Sequence, residues 1–264
     1  MIHFSVIQSG IVSNPAGRYN SAKRGLRIMS PRIICQPDHP DRGKGTTMMN
    51  YADARRHMVD GQIRTNDVTD RRLVAALGEI PREVFVPKPL RGMAYIDGDI
   101  DLGAGRFLME PLAFAIMVQA AAIHPGDVVL DLGCATGYSA AVLSRLASTV
   151  VAVESDRDLA ARAGALLGEL GFDNVAVGAG ALADGDAPHS PYQVIVLEGA
   201  VERIPDSLLN QLAEGGRLVA VVRDGPVSAA TVVTRTNGTF SARKVREISV
   251  RVLPGFERKP SFVF

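Results

Sequence analysis

Four short runs constrain this chain more than anything else in it: VVLDL (128–132), TVVAVE (149–154), YQVIVLE (192–198) and GRLVAVV (216–222). Each is almost continuously apolar and rich in β-branched residues, which predicts strands covered on both faces and not strands with one wet side. NVAVG (174–178) reads as a further strand of the same set. Helical segments separate them: Tyr138 to Leu146, an Ala/Leu-rich stretch from Asp156 to Leu170 stopped by Gly171, and Pro205 to Ala213. Strand and helix in alternation predict a parallel, doubly wound α/β sheet. Two more extended stretches, near Ala230–Thr236 and Lys244–Val252, flank the turn pair Asn237-Gly238 and predict an antiparallel edge, for seven strands in all.

Upstream the pattern is helical. Asp53 to Arg64 sets Ala54, Met58 and Ile63 along one side; Thr69 is the expected N-cap of a helix carrying Leu73, Val74, Leu77 and Ile80, closed by Pro81. Residues 84–105 hold six Gly or Pro and predict turns with short extended pieces, and Pro111 opens an apolar helix running to about Ile123. The expected layout is a helical cap with a substrate segment over 48–124 and a core over 125–264. Residues 1–47 stand apart: they carry seven Lys/Arg and two Asp/Glu, with no sustained apolar period. A transit peptide, a nucleic-acid arm, and an unstructured extension ahead of a start at Met48 or Met49 all fit, the last being favoured. The whole chain of 264 residues has a net charge of +1, leaving 22 basic and 26 acidic residues after the tail, which argues against a nucleic-acid grip. The Pro111–Ile123 run is too short to cross a bilayer. Two cysteines, Cys35 and Cys134, make no disulfide framework, and five scattered histidines, His57 and His124 among them, show no metal spacing. A cytoplasmic, monomeric protein with no metal, membrane or nucleic-acid partner is expected.

The chemistry gathers after the first core strand. Asp131-Leu132-Gly133-Cys134-Ala135-Thr136-Gly137 ends a strand and opens a helix, with small residues at 133, 135 and 137 that allow a sharp turn and a close ligand. It is neither the Gly-x-Gly-x-x-Gly of dinucleotide folds nor a Walker loop. Glu154 ends the next strand, 23 residues after Asp131, where a carboxylate can accept from both hydroxyls of a ribose. This constellation resembles the first motif of S-adenosylmethionine methyltransferases. The expected cofactor set is Asp131, Gly133, Cys134, Ala135, Thr136, Gly137, Glu154, Ser155, Ala179 and Gly180, with Cys134 a small structural side chain and not a reactive thiol.

Further stretches resemble the protein-L-isoaspartate O-methyltransferase family across residues 49–264: MVDGQIRTNDVTDRRLVAAL (58–77), PREVFVP (81–87), AYIDGDIDLGAG (94–105), VLDLGCATGYSAAVLSRL (129–146) and IPDSLLNQLAEGGRLVAVV (204–222). The resemblance implies a Rossmann-like seven-stranded methyltransferase sheet under a helical cap. It implies methyl transfer from S-adenosylmethionine to an L-isoaspartyl carboxylate in damaged proteins, leaving S-adenosylhomocysteine. A carboxylate has a pKa near 4 and is already a nucleophile at neutral pH, so no general base is required, and catalysis reduces chiefly to alignment.

Three departures from the family pattern bear on the acceptor. The family's Gly-Gln-Thr-Ile-Ser-x-Pro reads Gly105-Arg106-Phe107-Leu108-Met109-Glu110-Pro111, which removes the hydroxyls implied to bind substrate. Its Gly-Asp-Gly reads Gly178-Ala179-Gly180, removing a carboxylate implied to meet the adenine, with Asp184 or Asp186 as substitutes. Its small hydroxyl/alanine run becomes Leu197-Glu198-Gly199-Ala200. Arg106, Met109 and Glu198 are therefore the candidate catalytic residues. Arg106 either clamps the substrate carboxylate or pairs with Glu110; Glu198 either faces a different acceptor, such as a small amine or alcohol, or pairs with Arg203. A non-catalytic binder of the cofactor is the remaining alternative. Leu108–Glu110 and Glu198 are expected to face Gly133–Gly137 across the cleft.

Overall fold

The computed structural model describes residues 50–257, so the expectations for residues 1–47 and for a start at Met48 or Met49 lie outside the described residues. The core is a seven-stranded sheet of β3 (Val128–Leu132), β4 (Thr149–Glu154), β5 (Val175–Ala179), β6 (Tyr192–Val201), β7 (Leu212–Asp224), β8 (Val227–Thr236) and β9 (Thr239–Glu247). Its order is β5-β4-β3-β6-β7-β8-β9. The pairs from β5 through β7 are parallel, and β7–β8 and β8–β9 are antiparallel. The chain winds outward from β3 to β5 and then resumes on the other side with β6. The switch point therefore lies between β3 and β6, where open α/β sheets form their ligand crevice.

The hydrophobic runs behave as their composition dictates. Val129, Leu130 and Leu132 of β3 and Val194, Ile195, Val196 and Leu197 of β6 are fully buried, alternating between two apolar clusters on opposite faces of the sheet. On one face lie α3 (Pro111–Ala121) and α4 (Tyr138–Ser144), both nearly all buried. α3 begins at Pro111 as expected but ends at Ala121, because Ala122 takes a left-handed conformation with φ +47°. The cap helices α1 (Tyr51–Met58) and α2 (Arg71–Glu79) complete that layer. The long cap helix expected to Arg64 is helical only to Met58, then widens to a π turn over Val59–Ile63 and tightens to 3-10 geometry over Arg64–Asn66. Thr69 is not the cap of α2; Asp70 is, its carboxylate accepting from the amides of Arg72 and Leu73, since a carboxylate is the stronger acceptor.

Two other expectations shift. The helix expected over Pro205–Ala213 is a single turn, α6 (Asp206–Leu209), because β7 starts at Leu212, opposite Tyr192. The last strand begins directly after the turn, at Thr239 and not near Lys244, since Asn237 and Gly238 both adopt left-handed angles that suit a two-residue hairpin. The Gly/Pro-rich stretch forms a separate two-stranded sheet, β1 (Ile100–Gly103) and β2 (Arg106–Leu108). No helix among the described residues is long and apolar enough to cross a membrane. Phe114 on α3 locks the layer, lying 6.0 Å from the Tyr138 ring of α4. Truncation to alanine, Phe114→Ala, should lower the unfolding free energy by about 3–5 kcal/mol, measured by urea denaturation.

Candidate functional site

Register brings the carboxyl ends of three strands level. Leu132 pairs with Val153 on one side and Leu197 on the other, so Gly133, Glu154 and Glu198 follow at the same height along the rim. The turn after β3 is drawn tight by left-handed angles at Gly133 (φ +90°), Ala135 (φ +51°) and Gly137 (φ +95°). These glycines serve different ends. A Cβ on Gly137 would lie 3.0 Å from Leu167 and 3.3 Å from Ala163, so Gly137 permits close packing of α5 (Arg157–Glu169) and does not face a ligand. A Cβ on Gly133 would point into the cleft, 3.0 Å from Nη2 of Arg106.

Arg106 therefore reaches neither an open cleft nor Glu110. Its Nε and Nη2 donate to the two carboxylate oxygens of Glu154, each at 2.8 Å, and Nη2 also donates to the carbonyl of Gly133 at 2.9 Å. Both partners are buried, Arg106 at 1% exposure and Glu154 at 0%. Glu154 further accepts from the amides of Ala135 at 2.7 Å, Ser155 at 2.7 Å and Asp156 at 3.1 Å, and from the Ser155 hydroxyl. Ala179 and Gly180 are exposed; Ala179 lies opposite Glu154 in the β4–β5 register, and the Gly180 amide donates to the Glu154 carbonyl at 3.0 Å. Asp186 does not turn to the cleft: it binds His189 and the Tyr192 hydroxyl. Asp184 is exposed, and its carbonyl accepts from Gln211.

Glu198 is buried and makes no pair with Arg203, which meets Asp206 instead. A register irregularity between Val196 and Ala200 releases this stretch from β7 and lets Glu198 line the inner chamber. Leu108, Met109 and Glu198 line it with Gly133–Ala135 and with Phe107, Phe114, Tyr138 and Ser139, whereas Glu110, Thr136 and Gly137, expected across the same cleft, are not part of its lining. Arg82, from the PREVFVP segment, was not among the sequence candidates, because a charged residue at the start of a turn reads as solvated. It is 1% exposed, donates from Nε to the carbonyl of Ala94 at 2.8 Å and from Nη2 to that of Met109 at 2.5 Å, and stacks 4.6 Å over the Tyr138 ring. Its Nη1 and the Tyr138 hydroxyl are buried with no hydrogen-bond partner. Met109 thus contributes a carbonyl that orients Arg82, as well as an apolar wall.

The carboxyls of the chamber differ in charge. Burial tends to neutralise Glu154, but the Arg106 guanidinium and the backbone amides overcome it and hold its pKa below the usual range. Burial pushes Asp131 up to about 7, against one opposing hydrogen bond from Ser139 at 2.7 Å. Burial and the nearby Asp131 push Glu198 well above the usual range. Cys134 is fully enclosed, and burial drives its thiol well above the ordinary value. His57 and His124 are exposed, and no cluster of metal-binding side chains occurs among the described residues. Asp131 binds its proton more tightly folded than unfolded, so its contribution to stability should fall as pH rises from about 4 to 7 and stay flat above. Asp131→Asn, which keeps an acceptor for Ser139, should gain in unfolding free energy relative to the unaltered chain over that range, measured by urea denaturation at a series of pH values.

The comparisons with known proteins agree with this frame. Residues 53–256 match the model of the Protein-L-isoaspartate(D-aspartate) O-methyltransferase family. The protein-L-isoaspartate O-methyltransferase of Gloeobacter violaceus is 39% identical over 77% of this chain and 98% of its own length, and that of Roseiflexus castenholzii is 37% identical over 78% and 93%. A solved protein-L-isoaspartate O-methyltransferase superposes with a TM-score of 0.67 at 28% identity, covering 76% of this chain and 66% of that one. A Plasmodium falciparum structure, described as a putative member in complex with S-adenosyl-L-homocysteine, has a TM-score of 0.66 at 15% identity and attests the fold alone. The chain belongs to the protein-L-isoaspartate(D-aspartate) O-methyltransferase family of S-adenosylmethionine-dependent enzymes.

Proposed function

We propose that the chain methylates the free carboxylate of L-isoaspartyl residues in proteins, which begins the repair of that damage. S-adenosylmethionine supplies the methyl group on a sulfonium, a good leaving group, when bound. The observation that carries the acceptor class is Arg82. It is a buried guanidinium beside the Gly133–Ala135 turn, and it forms no ion pair among the described residues. Burial lowers its pKa, against the neighbouring Tyr138, Tyr95 and Asp99, so an anion brought alongside it relieves an uncompensated charge. Burial pushes the two acids of the same chamber toward their neutral forms, Asp131 up to about 7 and Glu198 well above the usual carboxylate range, which weakens their competition for Arg82. Arg82 takes over what the family's missing hydroxyls would do at 107 and 109, and it binds an acceptor that needs no base to make it nucleophilic. Phe107, Met109 and Phe114 keep water from the carboxylate. All these residues come from one chain, so a single copy suffices, and the buried free thiol of Cys134 suits a reducing, cytoplasmic setting.

A matched pair of peptides, one with isoaspartate and one with aspartate, tests the reading with labelled S-adenosylmethionine. Label should enter the isoaspartyl peptide alone. Label on neither peptide, with transfer to a small amine or alcohol, would move the acceptor to the class that Glu198, lining the chamber, can meet by hydrogen bonding. Arg82→Met should lower kcat/KM for the isoaspartyl peptide roughly 10- to 100-fold, the usual weight of a charge-assisted hydrogen bond, with most of the loss in KM. Its affinity for S-adenosylhomocysteine should stay unchanged, and an unaltered KM would remove Arg82 from this role.

A further inference from the structure

The seat expected for a cofactor ribose is taken by the protein itself. Both oxygens of Glu154 are engaged by Arg106, and the guanidinium lies against Gly133, the face of the turn that is open to a close ligand. Leu253 Cδ2 and Leu182 Cδ1 fill the remaining approach, 3.2 and 3.5 Å from the position of a Cβ on Gly133. The inner chamber on the Gly133–Ala135 turn, lined also by Phe107, Met109 and Glu198, measures about 10 Å³, whereas sites for ligands of nucleoside size run to ~300 Å³ or more. The donor set of the site suits S-adenosylmethionine, but in this conformation its space does not.

We infer that Arg106 is a built-in competitor for the cofactor's ribose, and that the β1–β2 hairpin carries it out of the cleft when the cofactor binds. The inference rests on the methyltransferase reading of Glu154 and the turn, not on the identity of the acceptor. Three features make the exchange feasible. The hairpin is a two-stranded sheet separate from the main one, with its turn at Gly103, Ala104 and Gly105 in left-handed angles and exposed. Its outer tie is an exposed ion pair, Asp101 with Arg251 at 3.0 Å, which water replaces at little cost. Glu154 keeps the amides of Ala135, Ser155 and Asp156 when Arg106 leaves, so the carboxylate stays oriented to accept hydroxyls. Arg106 stands where the family pattern has Gln, a neutral side chain that cannot form the same charged fork. Cofactor affinity is then reduced by the fraction of molecules in which Arg106 is out.

Calorimetric titration of the full-length chain with S-adenosylhomocysteine tests this directly. Arg106→Gln should bind at least tenfold tighter than the unaltered protein, and adding Glu154→Gln should abolish binding. Equal or weaker affinity in a folded Arg106→Gln variant would overturn the inference, as would no binding by either protein. Hydrogen exchange needs no variant: amides of residues 100–108 should exchange faster with saturating S-adenosylhomocysteine than without it. Slower or unchanged exchange there would equally overturn it. Neither measurement involves an acceptor, so a failure here is separable from a failure of the isoaspartyl assay.

Discussion

The structure turns on one buried carboxylate. Glu154 collects hydrogen bonds from the Arg106 side chain, the Ala135 amide, the Ser155 amide and hydroxyl, and the Asp156 amide. Those donors belong to the β1–β2 hairpin, the turn after β3 and the start of α5, so one side chain joins three segments that share no strand pairing. A buried charge of this kind costs several kcal/mol in lost hydration unless it is fully solvated by the protein. The number of donors settles the balance: its pKa lies below the usual range in spite of burial. The stability that Glu154 confers is present above the unfolded carboxylate pKa and is lost as pH falls through its lower folded value.

The same chamber shows how donor count, and not residue type, sets charge. Asp131 and Glu198 are buried as well, yet Asp131 has one hydrogen-bond donor, Ser139, and both Asp131 Oδ1 and Glu198 Oε1 have none. Burial therefore prevails and both are pushed up. Arg106 is matched by Glu154, whose pKa is held below the usual range, whereas Arg82 has no ion pair among the described residues, and that excess of one guanidinium underlies the anionic acceptor proposed above.

The sheet was legible because its signals are local. A continuous β-branched run such as Tyr192–Leu197 can satisfy its hydrophobicity only when covered on both faces, and strand and helix alternate in a way few topologies permit. Glu154, Gly133 and Glu198 were readable for the same reason: each stands at or just past the end of a continuous apolar run. What sequence could not supply was pairing across the cleft. Arg106 sits next to Glu110 in the chain and 48 residues from Glu154, and nothing in its neighbourhood signals the distant acid. Arg82 was hidden by the opposite logic, because its burial depends on two carbonyls, of Ala94 and Met109, that come together only in the folded hairpin region. The helix read over Pro205–Ala213 is cut to the single turn Asp206–Leu209 because β7 takes Leu212 in competition with helix propensity.

Two of the departures from the family pattern belong to one assembly. Gly199 lies in the altered run near the end of β6, and a Cβ there would approach Leu253 Cγ to 2.7 Å, so the glycine makes room for Leu253 to enter the cleft. Leu253 is held by backbone bonds between Ala200 and both Arg251 and Leu253, a short bridge that extends the rim of β6. Arg251, on the same segment, lies 5.5 Å over the ring of Phe107 and pairs with Asp101, which ties it to the hairpin carrying Arg106. The changes at 106–107 and at 199 thus meet through residues 251–253, and each supports the placement of the other. A chain that had merely drifted at these positions would leave voids or clashes where they meet; here the guanidinium finds a carboxylate, the leucine finds a glycine and the phenylalanine finds a cation. That mutual fit is the physical reason to treat the covered cleft as a state the sequence specifies.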